Sequence, residues 1–420
     1  MTNLYLKPIP VFNSLAQLTA IAVGFSLPLS TTMMHVFLWL TLVFLILGGQ
    51  WKEKLNYIVQ SPLAWISLTF FLLFVVGLTY TTALWSDATH IAGKYTKFLF
   101  LLALLPIFKE KKCGDYALNA FLAASMLTLV LGFLKALGWI HFGHNPSPAW
   151  LFKDHIQTSF ILAFAAYILI HRAWYSPRWR MVCLILWVST IFFLFFLNTG
   201  RSGQVLLLGL MGLFFYQILR WKGVAYTFLA AVILLSLAWS FSGTFRELAS
   251  QSWKHALNYS QYSDSTSVGL RTTFVLNSIK LWEKHPIIGT GTGSFAHEYK
   301  KHICLGDENC RVMSSNPHNE YSFLAVQFGV VGLLFLLGMF FFQLRLARNL
   351  PEDQRYLAQA LIVGIALGCM SNSWLLDTTE GHFYIYFLAL LLGKKLFNRS
   401  VKDKIASTFS LKKSLVRGES

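Results

Sequence analysis

The sequence predicts an all-α protein that crosses a membrane about twelve times and carries one large, partly helical segment outside the bilayer. Three observations predict it. Of the 420 residues 55% are hydrophobic and only 13% are charged, against roughly a quarter in soluble domains, and the mean hydropathy is +0.54. Apolar runs of roughly 17–25 residues, the length a helix needs to cross a hydrocarbon core, recur from end to end. The basic residues collect in alternate loops. Soluble enzyme folds, which at this length divide into two or three domains with polar surfaces, are excluded.

The apolar runs, bounded by charges or turn residues, fall at 14–30, 32–49, 62–83, 91–108, 116–138, 156–171, 181–198, 204–219, 224–242, 318–344, 357–376 and 381–397. An even number of spans puts both termini on one side. The loops on that side run from Lys52 and Lys54 to Arg345, Arg348 and Arg355. With Lys7 and the tail from Lys394 to Arg417 they hold 22 basic and seven acidic residues. The other side holds 10 basic and 11 acidic residues, while Lys94, Lys97 and Lys135 lie within spans. Since basic loops stay in the cytoplasm, both termini are expected there. The formal charge of +17 then reflects topology, and nucleic-acid binding loses its support. One early Lys, Pro8, Pro10 and no small-residue cleavage pattern argue against a signal peptide.

This divides the chain into nine spans over 1–242, an outer segment over 243–317, three spans over 318–397 and a basic cytoplasmic tail over 398–420. The outer segment is polar enough to be structured outside the bilayer. A second outer loop, Trp139 to His155, reads as a turn or re-entrant stretch. No fixed-period repeat is present. Cys113, Cys183 and Cys369 fall in spans or on the cytoplasmic side and read as inert. Cys304 and Cys310, six apart in the outer segment, could join in an oxidising compartment and pin a small loop; a metal pair is the weaker reading, because no further ligands stand at site-like spacing.

Charged residues at one membrane face are the candidates for chemistry, since an ion near lipid is costly unless paired or solvated in a cavity. Arg201, in TGRSG between the seventh and eighth spans, presents a planar fork of donors suited to phosphate oxygens; the plainer reading is an arginine binding lipid headgroups. Arg271 opens a stretch to Trp282 with helical apolar spacing, an amphipathic helix whose arginine would otherwise be a surface ion pair. His285-Pro286 ends it, and the GTGTGSF that follows lacks both the preceding strand and the Lys-Ser/Thr of a nucleotide loop. His318, with Asn319, Glu320 and Tyr321, opens the tenth span after Pro317; a neutral imidazole there could accept a proton from an attacking hydroxyl, whereas a lone His is more often structural. Lys153, Asp154 and His155 form a further cluster at the start of the sixth span. A metal held by His155 and His318 has no local ligand geometry to support it, and no Asp-x-Asp occurs, so no metal site is assigned.

Taken in order, the spans, the large outer segment, TGRSG at Arg201, the stretch from Arg271 through HPIIGTGTGSF, and PHNEY at His318 resemble the O-antigen ligase family of bacterial inner membranes, within the wider ligase/polymerase superfamily. The resemblance covers most of the chain and implies a GT-C-like glycosyltransferase without a cofactor. By that resemblance the donor is an undecaprenyl-diphosphate-linked O-antigen and the acceptor is lipid A-core. Transfer would occur at the periplasmic face and invert the anomeric centre. His318 would activate the acceptor hydroxyl, Arg201 and Arg271 would hold the diphosphate, and Lys153, Asp154, His155, Asn319, Tyr321 and Trp282 would be further substrate contacts. Trp150, Trp253, Trp282 and Tyr299 could stack on sugars, although interfacial belts also use such residues. Both lipid-linked substrates call for a lateral opening between spans. The competing readings are an O-antigen polymerase, a protein O-oligosaccharyltransferase, and a transporter of the same lipid-linked sugar.

Overall fold

The computed structural model describes residues 10–141, 145, 147–257, 266–305, 310 and 312–393; Lys7 and the tail at 398–420 lie outside them. Among the described residues there are helices and no strands. The apolar runs are helical with shifted ends, except that 91–108 is two helices, 357–376 is helical only to Gly368, and 394–397 lie outside the described residues. In order they are α1 (Pro10–Ser26), α2 (Thr31–Leu47), α3 (Trp51–Gln60), α4 (Pro62–Gly77), α5 (Trp85–Tyr95), α6 (Lys97–Ile107), α7 (Lys111–Ala136) and α8 (His155–Tyr175). These are followed by α9 (Arg180–Phe192) with a π-helical turn Phe193–Leu197, α10 (Arg201–Leu219), α11 (Trp221–Phe241), α12 (Gly243–Leu257), α13 (Ser267–Trp282) and α14 (Phe295–His302). The last three are α15 (Glu320–Ala347), α16 (Glu352–Gly368) and α17 (Thr378–Leu392).

Eight helical segments are long and apolar enough to cross a membrane, counting α5 with α6 as one. The helices α1, α2, α16 and α17 have 15 to 17 residues, about 22–26 Å at 1.5 Å per residue, and approach the ~30 Å of a hydrocarbon core. The chain is a multi-pass, all-α membrane protein. The α3 helix was not evident from hydropathy: it is short and amphipathic, and its Lys54 Nζ donates to Asn13 Oδ1 at 3.0 Å and to the Leu45 carbonyl at 2.8 Å.

The centre of the bundle is α8 and α17. From Thr379 to Leu392 every residue of α17 is buried, Glu380 and His382 included, and from Phe383 onward the helix is nearly all apolar. Phe160 of α8 packs edge-on against Trp374 and Phe383, with ring centroids 4.6 and 4.9 Å apart. Around this pair, α6 packs on α17, α10 on α8 and α16, and α1 on α2 and α7. The α11 helix is peripheral, with only Gly223 and Ala238 buried.

One span is broken and repaired. Gly329, inside α15, has φ 61° and ψ −151°. An intact helix would pair the carbonyls of Val326 and Gln327 with the N–H groups of Val330 and Val331. Instead Thr290 N–H and Gly291 N–H donate to those carbonyls at 3.1 and 2.8 Å, and Val330 N–H and Val331 N–H donate to Pro286 and Ile287 carbonyls at 2.8 and 3.2 Å. The glycine-rich stretch after His285 therefore completes α15, a role its sequence did not announce. Only glycine fits at the junction, because a Cβ on Gly329 would lie 2.3 Å from the Ile287 oxygen, and one on Gly289 would lie 2.4 Å from the Gln327 carbonyl carbon. Further bonds, Gly293 N–H to Gln327 Oε1 at 2.5 Å and Thr292 N–H to the Gly77 carbonyl at 3.0 Å, extend the join to α4.

Two glycines of α15 separate this cause from helix propensity. Gly329→Ala should lower the thermal midpoint in detergent by an amount equivalent to at least ~2 kcal/mol, from the left-handed strain and the backbone clash together. Gly338→Ala, where a Cβ meets nothing within 4 Å, should leave the midpoint unchanged or raise it. Equal effects in the two melts would contradict the junction.

Candidate functional site

Four helices, α8, α10, α15 and α17, begin at the same end of the bundle, and α13 lies beside them. Helix starts carry partial positive charge and unpaired N–H groups, so this end favours anions. Here a cavity of about 650 Å³ is lined by Arg201 and Ser202 of α10, Arg271 of α13, Ser252 of α12 and Ser371. Its remaining wall, including Val205, Leu206 and Leu367, is apolar.

Arg201 is the first residue of α10. The π-helical turn ends α9, Asn198 Oδ1 accepts from the Gly200 N–H at 2.5 Å, and Gly200 lets the turn lie against α8, where a Cβ would be 2.4 Å from Ser159 Oγ. The Arg201 guanidinium donates to Ser267 Oγ at 2.7 Å and to Ser252 Oγ, anchoring α12 and α13 over the helix start. Arg271 makes no hydrogen bond to another described residue, and burial followed by the neighbouring Arg201 depresses its pKa while leaving it charged. Among the described residues neither arginine faces a carboxylate partner; the ion pairs join Lys109 to Glu53, His302 to Glu298 and Arg355 to Glu352. Two half-buried guanidiniums on one cavity, without a counter-charge, suit a multiply charged anion. His155, first in α8, stacks on Trp150 with centroids 5.3 Å apart, and its buried Nδ1 has no partner among the described residues.

His318 sits just before the α15 cap. Its φ is 51°, a left-handed value held by its N–H donating to Asn316 Oδ1 at 2.9 Å, while Ser373 Oγ donates to the same oxygen at 2.7 Å. Its Nδ1 lies 2.9 Å from Asn372 Oδ1, and Asn372 Nδ2 donates to Asp377 Oδ2 at 2.6 Å. A carboxylate only accepts, so the Asn372 amide turns its nitrogen to Asp377 and its oxygen to the imidazole. His318 then carries its proton on Nδ1 and offers the Nε2 lone pair. Phe274, three residues after Arg271, packs against the ring with centroids 6.1 Å apart, which brings α13 to His318. Ser371 of the cavity wall adjoins Asn372.

Several expected substrate contacts have other partners. Lys153 is buried, and its Nζ donates to Thr31 Oγ1 at 2.9 Å and Thr379 Oγ1 at 3.0 Å, tying α2 to α17. Asp154 caps α8, accepting from Ile156 and Gln157 N–H groups at 2.8 Å each. Asn319 caps α15 and donates to the Met370 carbonyl at 2.9 Å, just past α16, and Tyr321 donates to the Ala366 carbonyl of α16 at 2.9 Å. Trp282 donates to the Pro286 carbonyl at 3.0 Å beyond the end of α13. Tyr299 is fully buried and accepts from Asn277 Nδ2 at 2.8 Å, so it cannot stack on a sugar. Trp253 is exposed. Cys304 and Cys310 are joined, with Cα atoms 5.5 Å apart. Among the described residues no group of three His, Cys, Asp or Glu side chains is placed to hold a metal ion.

Residues 185–337 match the family model described as O-Antigen ligase. This stretch is similar to that family. The matched stretch runs from α9 to the middle of α15, so it contains Arg201, Arg271 and His318 together with the glycine-rich segment that completes α15. No curated protein matches the chain. Asn372 and Asp377 lie outside the matched stretch, and sequence reasoning missed them because the apolar run absorbed Asn372 into a span; the polar cluster Ser371-Asn372-Ser373 was the available signal.

Asp377 gives the site a pH signature. Burial pushes its carboxyl up to about 6, against the pull of Lys97 and then His318. The folded value exceeds the unfolded value of ~3.9, so the contribution to stability is full below the unfolded pKa and is lost as pH rises through about 6. Between pH 4 and 7 the wild-type thermal midpoint should fall relative to that of Asp377→Asn; parallel profiles would mean that Asp377 titrates as a free carboxyl.

Proposed function

We propose that the chain is an O-antigen ligase of the bacterial inner membrane. It transfers O-antigen from undecaprenyl diphosphate to lipid A-core at the periplasmic face, with both termini in the cytoplasm. The observation that carries this reading is the pairing of Arg201 and Arg271, with no carboxylate partner among the described residues, on a cavity whose Ser371 wall adjoins the residue holding His318. The arginines, with His155 near enough to feel their charge and its Nδ1 without a partner among the described residues, suit a diphosphate, and the apolar wall of Val205, Leu206 and Leu367 suits the lipid it is attached to.

In this mechanism His318 Nε2 takes the proton of the acceptor hydroxyl as its oxygen attacks the anomeric carbon. The bond from that carbon to the phosphate oxygen breaks, and undecaprenyl diphosphate leaves with the electron pair. Fixed guanidiniums stabilise the charge growing on the leaving group, so neither a nucleotide nor a metal is needed for the step. Direct attack opposite the leaving group inverts the anomeric centre. Asn372 and Asp377 stabilise the imidazolium that forms, as the orienting acid does in a hydrolase triad.

The test is transfer by reconstituted variants. His318→Ala and Arg271→Ala should insert and melt normally yet give at least ~10²-fold less glycosylated lipid A-core, the usual scale for losing a base or an anion-stabilising group. Normal turnover by correctly inserted His318→Ala would refute the base assignment. Longer lipid-linked glycan in place of glycosylated lipid A-core would mean a polymerase.

A further inference from the structure

Two buried charges are unused by this mechanism. Lys97, at the start of α6, is 2% exposed, and Glu320, at the start of α15, is fully buried. Both grip the same short segment between α16 and α17. Lys97 Nζ donates to the carbonyls of Leu375, Leu376 and Asp377 at 2.9, 3.0 and 2.6 Å, which uses all three donors of an ammonium group. On the N–H side, Glu320 Oε2 accepts from Leu375 and Leu376 at 3.1 and 3.3 Å, and Glu320 Oε1 accepts from the Tyr95 hydroxyl at 2.5 Å. Gly381 leaves room for the lysine, since a Cβ there would lie 2.7 Å from its Nζ.

The gripped segment carries the two residues that hold His318. Asp377 is its last residue, with its own carbonyl bound to Lys97, and Asn372 bridges Asp377 to the imidazole. A staple needed only to satisfy backbone groups could sit anywhere in the bundle; this one sits where a shift of the segment would turn the imidazole. We propose that Lys97 and Glu320 are positioning residues for His318, acting from opposite sides on the Leu375–Asp377 backbone so that Asn372 and Asp377 keep Nε2 aimed at the acceptor. This rests on His318 as the base. Neither residue lines the cavity, so donor binding at Arg201 and Arg271 is left intact when the grip is released.

The experiment measures kcat, and KM for the lipid-linked donor, in full-length reconstituted protein. Lys97→Met removes the three donors at similar length, and Glu320→Leu removes the acceptor. Each should lower kcat about 10²-fold, the scale of a ~1 Å misplacement, with donor KM changed less than about threefold. Glu320→Gln should recover most of kcat, because its amide oxygen can still accept the two N–H groups while Tyr95 accepts from its nitrogen. If Lys97→Met fails to fold, Tyr95→Phe carries the test: a severalfold fall in kcat at constant KM supports the proposal. Unchanged kcat in these variants, or KM rising in step with the loss, overturns it. His318→Ala in the same assay separates the two claims. An inactive His318→Ala beside a normal Lys97→Met defeats the positioning role alone, whereas an active His318→Ala defeats the base on which it rests.

Discussion

Backbone N–H and C=O groups inside a bilayer have no water to bond, and each one left unpaired costs several kcal/mol. That constraint makes the chain all-helical, and it also explains the places where helices stop. Where α15 breaks at Gly329, the stretch from Pro286 to Gly293 supplies the missing donors and acceptors one for one. Between α16 and α17 Glu320 accepts from the N–H groups of Leu375 and Leu376, and Lys97 donates to the carbonyls of Leu375, Leu376 and Asp377. Interruptions in this bundle are thus completed by specific residues from distant parts of the sequence.

Both repairs serve the site. The stretch that completes α15 follows directly from α13, so the helix bearing Arg271 is bound to the span that His318 precedes. Phe274 then lies against the His318 ring, and Arg201 is fixed to the same roof through Ser252 and Ser267. Arg201, Arg271 and His318 come from different elements, and the backbone pairing at Gly329 ties the segment after α13 to the span that His318 precedes. The electrostatics are divided likewise. Among the described residues the two arginines have no carboxylate partner and suit an incoming anion, while Asp377 is committed through Asn372 to the imidazole.

The fold class was legible because membrane spans are written in composition and charge: the apolar runs are helical, 91–108 as two helices, and the three residues singled out at one face, Arg201, Arg271 and His318, fall together at one end. What stayed hidden depends on tertiary pairing. GTGTGSF has the look of a ligand loop, and only the break at Gly329 shows that its N–H groups are used inside the protein. Lys153 and Tyr299 looked available because sequence gives polarity without direction; the folded chain turns the first onto Thr31 and Thr379 and the second onto Asn277. Asn372 and Asp377 were invisible as a pair because they act on a histidine about fifty residues earlier.

The central claim is that these residues alone, acting on a lipid-linked diphosphate, carry out glycan transfer. Its most direct test is wild-type protein purified in detergent with EDTA and without nucleotide, supplied with undecaprenyl-diphosphate-linked O-antigen and lipid A-core and followed by gel mobility of the lipopolysaccharide. The account predicts a heavier, laddered lipid A-core product. Unchanged lipid A-core under these conditions, with transfer restored by a divalent metal or a nucleotide, would contradict it.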